Sequence, residues 1–176
     1  MCLIHKIIDP DFSDTKKMIE DAKELFFHSP LQFESWAVSL LGGQPYKSGG
    51  GGDTGIDGLL YFQDFKLKYH RIIIEVRGGG YHPKDVRALK AVMKREEAPL
   101  GVLLALKKPT KGMLKEAAAA GKWELPGGRE YPVLQIITIE DIFKGKKPDL
   151  PDTSQTLKKA KKQVRESEKN NSLFDQ

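Results

Sequence analysis

Two stretches of the sequence decide the fold: Gly52-Asp53-Thr54-Gly55-Ile56-Asp57-Gly58 and Ile72-Ile73-Ile74-Glu75-Val76-Arg77-Gly78-Gly79-Gly80. The first is a turn that leads into a strand, and the second is a strand that ends in three glycines. Together they predict a β-hairpin with its turn centred near Lys66. Because successive side chains of a strand alternate between faces, Glu75 and Arg77 share one face and Val76 lies on the other. The register then sets Asp57 roughly opposite Val76, beside both Glu75 and Arg77.

This hairpin predicts two carboxylates and one cation around a single point. A carboxylate pair on adjacent strands is an oxygen-rich site suited to Mg²⁺, which binds a few carboxylates and keeps several waters. Phosphodiesters hydrolyse very slowly unaided, and a metal can both activate water and stabilise charge. The pattern therefore favours a metal-dependent phosphodiesterase. The alternative is that Asp57 and Glu75 are solvated acids at strand ends.

A series of ordered blocks carries a resemblance to a known superfamily. The blocks are Gln32-Phe33-Glu34-Ser35-Trp36-Ala37, Gly55-Ile56-Asp57-Gly58, Glu75-Val76-Arg77-Gly78-Gly79, Asp85-Val86-Arg87-Ala88-Leu89, Pro109-Thr110-Lys111-Gly112-Met113 and Leu134-Gln135-Ile136-Ile137-Thr138-Ile139-Glu140-Asp141. They resemble the PD-(D/E)xK nuclease superfamily. The residues of these blocks are most similar to those of its Mrr-type branch, in particular the nuclease-like domain at the C-terminus of some site-specific DNA methyltransferases. The resemblance implies an α/β fold of the restriction-endonuclease type, with a central mixed β-sheet flanked by helices.

The resemblance also implies roles for individual residues. Asp57 and Glu75 would bind Mg²⁺ or Mn²⁺ together with the main-chain carbonyl of Val76. Glu34 matches a helix carboxylate that holds or orients the metal, although capping or an ion pair is the alternative. Arg77 stands where the superfamily has lysine, and because arginine is always protonated it can stabilise charge but cannot act as a base. Arg77 would either clamp a phosphate or pair with one of the two acids.

Two hypotheses about function follow. The first is a Mg²⁺-dependent DNA endonuclease of a restriction-modification-type system, and the carboxylates Glu34, Asp57 and Glu75 favour it. The second is a catalytically inactive nuclease-fold module that binds DNA and serves a DNA methyltransferase, and Arg77 favours it. Under either hypothesis DNA is the expected partner, and the chain could form a homodimer.

Composition limits these hypotheses. The chain has 176 residues, of which 39% are hydrophobic and 30% charged, which indicates one globular domain with a real core. The single cysteine, Cys2, leaves no intrachain disulfide, which suits a reducing cytoplasm. The longest apolar run, Leu100 to Leu106, is too short to cross a membrane, so no membrane association is expected.

Charge is unevenly distributed along the chain. The net charge is +5, but the residues from Lys144 onward hold nine Lys or Arg and five Asp or Glu, so residues 1–143 carry only +1. Binding to DNA therefore depends on how the cations are arranged. Five of them follow the acid strand on one predicted helix: Lys84, Arg87, Lys90, Lys94 and Arg95. This set is either a surface for the DNA backbone or an ordinary solvated helix face.

Apolar spacing predicts an α/β order of elements. The helices are expected at 14–27, 31–41, 83–96 and from Thr110 to the alanines 117–120, the strands at 57–62, 71–77, 101–106 and 133–139, and a short last helix is capped by Thr138 and Asp141. Ser29 and Gln32 are expected to form a capping box for the second helix. The strand–helix–strand order of the second half predicts parallel pairing.

The last part of the chain differs from the rest. Residues 1–150 are predicted to form the folded domain, and residues 151–176 a basic linker or tail that is disordered or weakly helical. The tail ends in Leu173 and Phe174 within a polar stretch. This ending weakly resembles the short peptide by which bacterial DNA-processing proteins bind the replication sliding clamp, and a stray apolar pair is the alternative.

Overall fold

The computed structural model of the protein describes residues 15–46, 54–125 and 128–153. Along the chain the elements are α1 (Thr15–His28), α2 (Pro30–Leu40), β1 (Gln44–Pro45), β2 (Gly58–Gln63), β3 (Tyr69–Arg77), α3 (Pro83–Arg95), β4 (Leu100–Ala105), α4 (Lys111–Ala118), β5 (Lys122–Leu125), β6 (Arg129–Pro132), β7 (Leu134–Thr138) and α5 (Ile139–Phe143).

A five-stranded mixed sheet with the strand order β1-β2-β3-β4-β7 forms the centre of the fold. The strands β1, β2 and β3 pair in antiparallel fashion, whereas β3, β4 and β7 are parallel. A second, two-stranded sheet consists of the hairpin β5–β6. Parallel neighbours need a crossover, and α3 and α4 provide one each between β3, β4 and β7. The predicted α/β architecture, with helices flanking a mixed central sheet, is confirmed.

Alternating side chains of the buried strands divide the core into two layers. On one face, Ile72, Ile74 and Val76 pack with side chains of α1 and α2. On the other face, Ile73 and Leu103 pack with the apolar side of α3 and with α4. Because Glu75 alternates with Ile74 and Val76, its side chain lies on the face that α3 covers. This layering sets the surroundings of the acid strand.

Most of the predicted helices and strands are present within one or two residues of their expected bounds. The capping of α5 is confirmed, since Thr138 Oγ1 accepts from the Asp141 amide at 3.0 Å and donates to Asp141 Oδ2 at 2.7 Å. The capping box of α2 is wrong. Ser29 is the N-cap, but its side chain makes no capping hydrogen bond.

Three strands were not predicted. β1 has only two residues, and both are exposed. The hairpin β5–β6 is short and mostly exposed, with the burial of Tyr131 as its main core contribution. Such short elements carry too few residues for a periodic pattern. Within the described ranges, no helix is both long and apolar enough to cross a membrane.

Close packing at Gly58 fixes how α2 sits on the sheet. A Cβ atom on Gly58 would lie 2.4 Å from Cγ1 of Val38, so only glycine lets β2 approach α2 this closely. Gly78, just after β3, is similar, because a Cβ there would lie 2.2 Å from the ring of Phe26 on α1. The absence of a side chain at Gly58 and Gly78 therefore allows α2 and α1 to pack closely against the strands beside the acid site.

Candidate functional site

The acid site lies where β2 begins and β3 ends. The ladder between the two strands ends with Gly58 opposite Ile74, so Asp57 lies one residue before β2. The pairing of Gly58 with Ile74 shifts the strands by one residue from the predicted register, and Asp57 still lies beside Val76. The Asp57 amide donates to the Ile74 carbonyl at 3.0 Å, and its Oδ2 accepts from the Val76 amide at 2.6 Å. The Asp57 carboxylate is thus held at the end of β3 by the main chain.

Glu75 is the buried member of this site, with only 2% of its surface exposed. Burial penalises the charged carboxylate and raises the pKa of Glu75 from its ordinary value of 4.5 to about 7. The positive charge of Arg77 opposes this rise, while the negative charges of Asp57 and Asp85 add to it. The influence of Asp57 on this pKa indicates that the two acids are electrostatic neighbours.

Arg77 pairs directly with Glu75. Its Nη2 donates to Glu75 Oε1 from the same face of β3, two residues along the strand. The Arg77 side chain is 38% exposed, so the guanidinium reaches from the buried acid toward solvent. Among the described residues its Nε is the buried side-chain atom without a hydrogen-bond partner. The predicted ion pair of Arg77 with an acid is present, and its alternative role as a phosphate clamp stays a prediction.

One oxygen of each of the two carboxylates already has a protein partner, and the binding of Mg²⁺ or Mn²⁺ stays a prediction. A hard dication needs ionised carboxylates with free oxygens. Here one oxygen of Glu75 binds a guanidinium, and Oδ2 of Asp57 accepts from the Val76 amide. Within residues 15–46, 54–125 and 128–153, no group of three or more His, Cys, Asp or Glu side chains could hold a metal ion. Arg77 supplies beside Glu75 the positive charge that a metal would bring.

Glu34 lies on α2. It is half-buried on α2, and this helix packs through Phe33 and Val38 against the face of the sheet that carries Val76. Its predicted role in holding a metal stays a prediction.

Asp85 is an acid of this region that the sequence analysis did not single out. It is the third residue of α3, and its Oδ2 accepts from the His82 amide at 2.6 Å in a capping box. Its charge also raises the pKa of Glu75. The spacing of His82 and Asp85 is that of a capping box directly after β3. It could have indicated Asp85 as an acid near the site, because it fixes where α3 begins relative to β3.

The predicted DNA-binding cations lie along the exposed side of α3. Lys84, Arg87 and Lys90 are all exposed, as are Lys94 and Arg95. We call these five residues the cationic face. Two of them have protein partners, since Arg87 pairs with Glu116 at 3.1 Å and Arg95 donates to the Thr54 carbonyl at 2.7 Å. In the part of the chain that the structure describes, the three lysines form no ion pair.

Three predictions fall outside the described residues. They are the start of the predicted turn at Gly52 and Asp53, most of the tail 151–176, and the terminal pair Leu173 and Phe174. The division of the chain into a domain and a tail therefore stays a prediction.

A mixed sheet flanked by helices, with two acids on its β2–β3 hairpin, is the architecture of a restriction-endonuclease-like domain. The sequence model of a family described as NACHT-associated inactive Restriction Endonuclease 1 matches residues 30–143. This chain belongs to that family. No characterised protein and no solved structure is significantly similar to it. The match confirms the predicted restriction-endonuclease-like superfamily. It gives no support to the Mrr branch or to the methyltransferase-linked domain.

Proposed function

We propose that this protein is a catalytically inactive nuclease-fold module that binds DNA. The observation that supports it most directly is the ion pair between Arg77 and Glu75, because it occupies a carboxylate that a nuclease would use for metal. The family's description as an inactive restriction endonuclease agrees with this function better than with a Mg²⁺-dependent endonuclease.

The chemistry of Arg77 also argues against hydrolysis. A lysine at this position could lose a proton and exchange it with an attacking water, but a guanidinium cannot. The same guanidinium stabilises the negative charge of the buried Glu75. A residue that would serve catalysis in an active relative thus serves here to hold the end of β3 together.

DNA binding is proposed for the cationic face of α3. At 100° per residue, Lys84, Lys90 and Lys94 lie within a sector of about 120°, and they span about 15 Å along the helix. Exposed lysines in such a line can contact successive phosphates, which positions a nucleic acid without reading its sequence. The Arg87–Glu116 pair holds α3 against α4 beside this line.

The proposal extends to the protein with which this module works. The family's description as NACHT-associated favours a NACHT-containing protein as the companion of this module. Service to a DNA methyltransferase is the alternative, and only the sequence blocks quoted above support it. The homodimer and the sliding clamp stay predictions.

Two assays on the purified chain test the proposed function. In plasmid nicking with Mg²⁺ or Mn²⁺, we expect no cleavage by the wild type. Metal-dependent cleavage that is lost in Asp57→Ala would instead establish the endonuclease, with Asp57 as a ligand.

For DNA binding, duplex affinity should fall steeply in a Lys84→Glu/Lys90→Glu double variant. It should change little in Lys23→Glu, an exposed cation on α1 at the other face of the sheet. The slope of log affinity against log salt should also decrease by up to about one unit for each lost phosphate contact. Equal affinities for the double variant and the control would contradict DNA binding by α3.

A further inference from the structure

The turn between β2 and β3 forms a second exposed surface, at the other end of β3 from Arg77. β3 has nine residues, so at about 3.3 Å per residue this turn lies roughly 25 Å from the acid site. We call residues 65–69 the hairpin tip. It combines large apolar side chains with lysines, and the proposed function gives it no role.

The hairpin tip is held in shape by Asp64. This buried carboxylate accepts from the amides of Lys66 and Lys68, both at 2.9 Å, and its Oδ2 lies 2.9 Å from Nε2 of His70. The imidazole of His70 stacks on the ring of Phe62, with 5.1 Å between centroids. The tip is therefore an anchored surface.

Three large apolar side chains of the hairpin tip face solvent. Phe65 is 75% exposed, Leu67 70% and Tyr69 52%. Lys66 and Lys68 alternate with them and are exposed as well. Leu67 has a φ of 63°, a left-handed conformation that usually selects glycine or asparagine. An exposed leucine in a strained turn position gives no benefit to the fold, which is a reason to look for a function.

The hairpin tip continues the line of the cationic face. Arg71, two residues beyond the tip, donates to the carbonyl of Glu96 at 2.7 Å and pairs with its carboxylate at 3.4 Å. Glu96 is the C-cap of α3, so the tip lies near the end of the helix that carries Lys94. A ligand that follows the cationic face from Lys84 toward Lys94 would reach the tip.

We propose that the hairpin tip binds the unpaired bases of a nucleic-acid strand. Phe65 and Tyr69 offer rings on which bases can stack, and Lys66 and Lys68 supply charges for the adjoining phosphates. Stacking of this kind requires bases that are not already paired within a duplex. This inference rests on the proposed function, because α3 would hold the backbone of the same nucleic acid. The elongated line of cations favours a linear polyanion over a membrane surface.

The test compares three fluorescent probes of one sequence, about 20 nucleotides long so that they exceed the cationic face. They are single-stranded DNA, single-stranded RNA and duplex DNA, titrated against the whole chain. Phe65→Ser and Tyr69→Ser should each weaken single-strand binding roughly tenfold, and change duplex binding much less. Phe27→Ser is the matched control, since Phe27 is an exposed aromatic residue on α1. Comparison of the single-stranded DNA and RNA probes shows whether the affinity depends on deoxyribose or ribose.

Each outcome decides the proposal. Single-strand affinity that Phe65→Ser and Tyr69→Ser leave unchanged would overturn it, and so would equal losses for duplex and single strands. Phosphatidylserine-containing vesicles are a fourth probe. If Phe65→Ser and Tyr69→Ser weaken binding to these vesicles and leave binding to nucleic acids unchanged, the proposal is overturned in favour of a membrane contact. Circular dichroism confirms that the variants fold, and Lys66→Glu/Lys68→Glu tests the same surface without removing a ring.

The proposed function can fail separately from this inference. If Lys84→Glu/Lys90→Glu leaves duplex affinity unchanged, DNA binding by α3 is wrong. If that variant lowers duplex affinity while the aromatic variants have no effect on single strands, the proposed function stands and only the role of the hairpin tip is wrong.

Discussion

Replacing Glu75 with glutamine should change how the stability of the protein depends on pH. Burial raises the pKa of Glu75 from 4.5 to about 7, so between these values the folded protein holds a proton that the unfolded chain releases. Stability falls with rising pH wherever the folded state binds more protons. The favourable contribution of Glu75 is therefore complete below about pH 4.5 and is lost as the pH rises through about 7.

The size of this loss follows from the two pKa values. At about 1.4 kcal/mol for each pH unit, the separation between 4.5 and about 7 corresponds to roughly 3.5 kcal/mol. Most of it, about 2.5 kcal/mol, falls between pH 5 and pH 8. Glutamine has nearly the same shape but no proton to lose, so Glu75→Gln removes this dependence. The attraction of Arg77 already lowers this pKa, so the ion pair is included in the value of about 7 and adds no separate amount.

Urea unfolding of both proteins at several values between about pH 5 and pH 8 measures the effect. The informative quantity is the difference in unfolding free energy between wild type and variant, because pH effects that both proteins share cancel. This difference should shift in favour of Glu75→Gln by about 2.5 kcal/mol as the pH rises from 5 to 8. Glu124→Gln, at an exposed site on β5, should give a difference that does not change with pH. Parallel curves for wild type and Glu75→Gln would refute a raised pKa at this site.

Three further substitutions test the packing and charges around the hairpin. Arg77→Met should lower stability by on the order of 2 kcal/mol at pH 8 and by less at pH 5, since at pH 5 Glu75 already holds a proton and has no charge to pair with Arg77; equal losses in urea unfolding at both pH values would contradict this. Gly58→Ala should cost about 2 kcal/mol, because its Cβ would lie 2.4 Å from Val38, and the cost should shrink in a Val38→Ala background. A cost that is the same in both backgrounds would place the strain elsewhere. Leu67→Gly should raise stability by up to about 1 kcal/mol, because glycine adopts a positive φ without strain, and a lower thermal midpoint would speak against this geometry.

The sequence alone was sufficient for the main elements of this fold. The alternation in β3 and the apolar spacing of α3 are local patterns, and each follows from the repeat of a single element. Caps such as Thr138 with Asp141 are equally local, because the interacting groups are three residues apart. For this reason the fold class and most element bounds were predicted correctly, while the short hairpin β5–β6, with only four residues in each strand, was not.

The sequence also determined which charged groups meet at the end of β3, since Glu75 and Arg77 lie two residues apart on one strand. Only the tertiary structure decided what they do there. The ring of packed side chains around Glu75 excludes water and raises its pKa, and the start of α3 brings Asp85 close enough to add to that effect. Desolvation depends on neighbours from distant parts of the chain, and no local pattern reports them. The pairing of Arg77 with this acid adds a nearby positive charge that opposes the effect of burial.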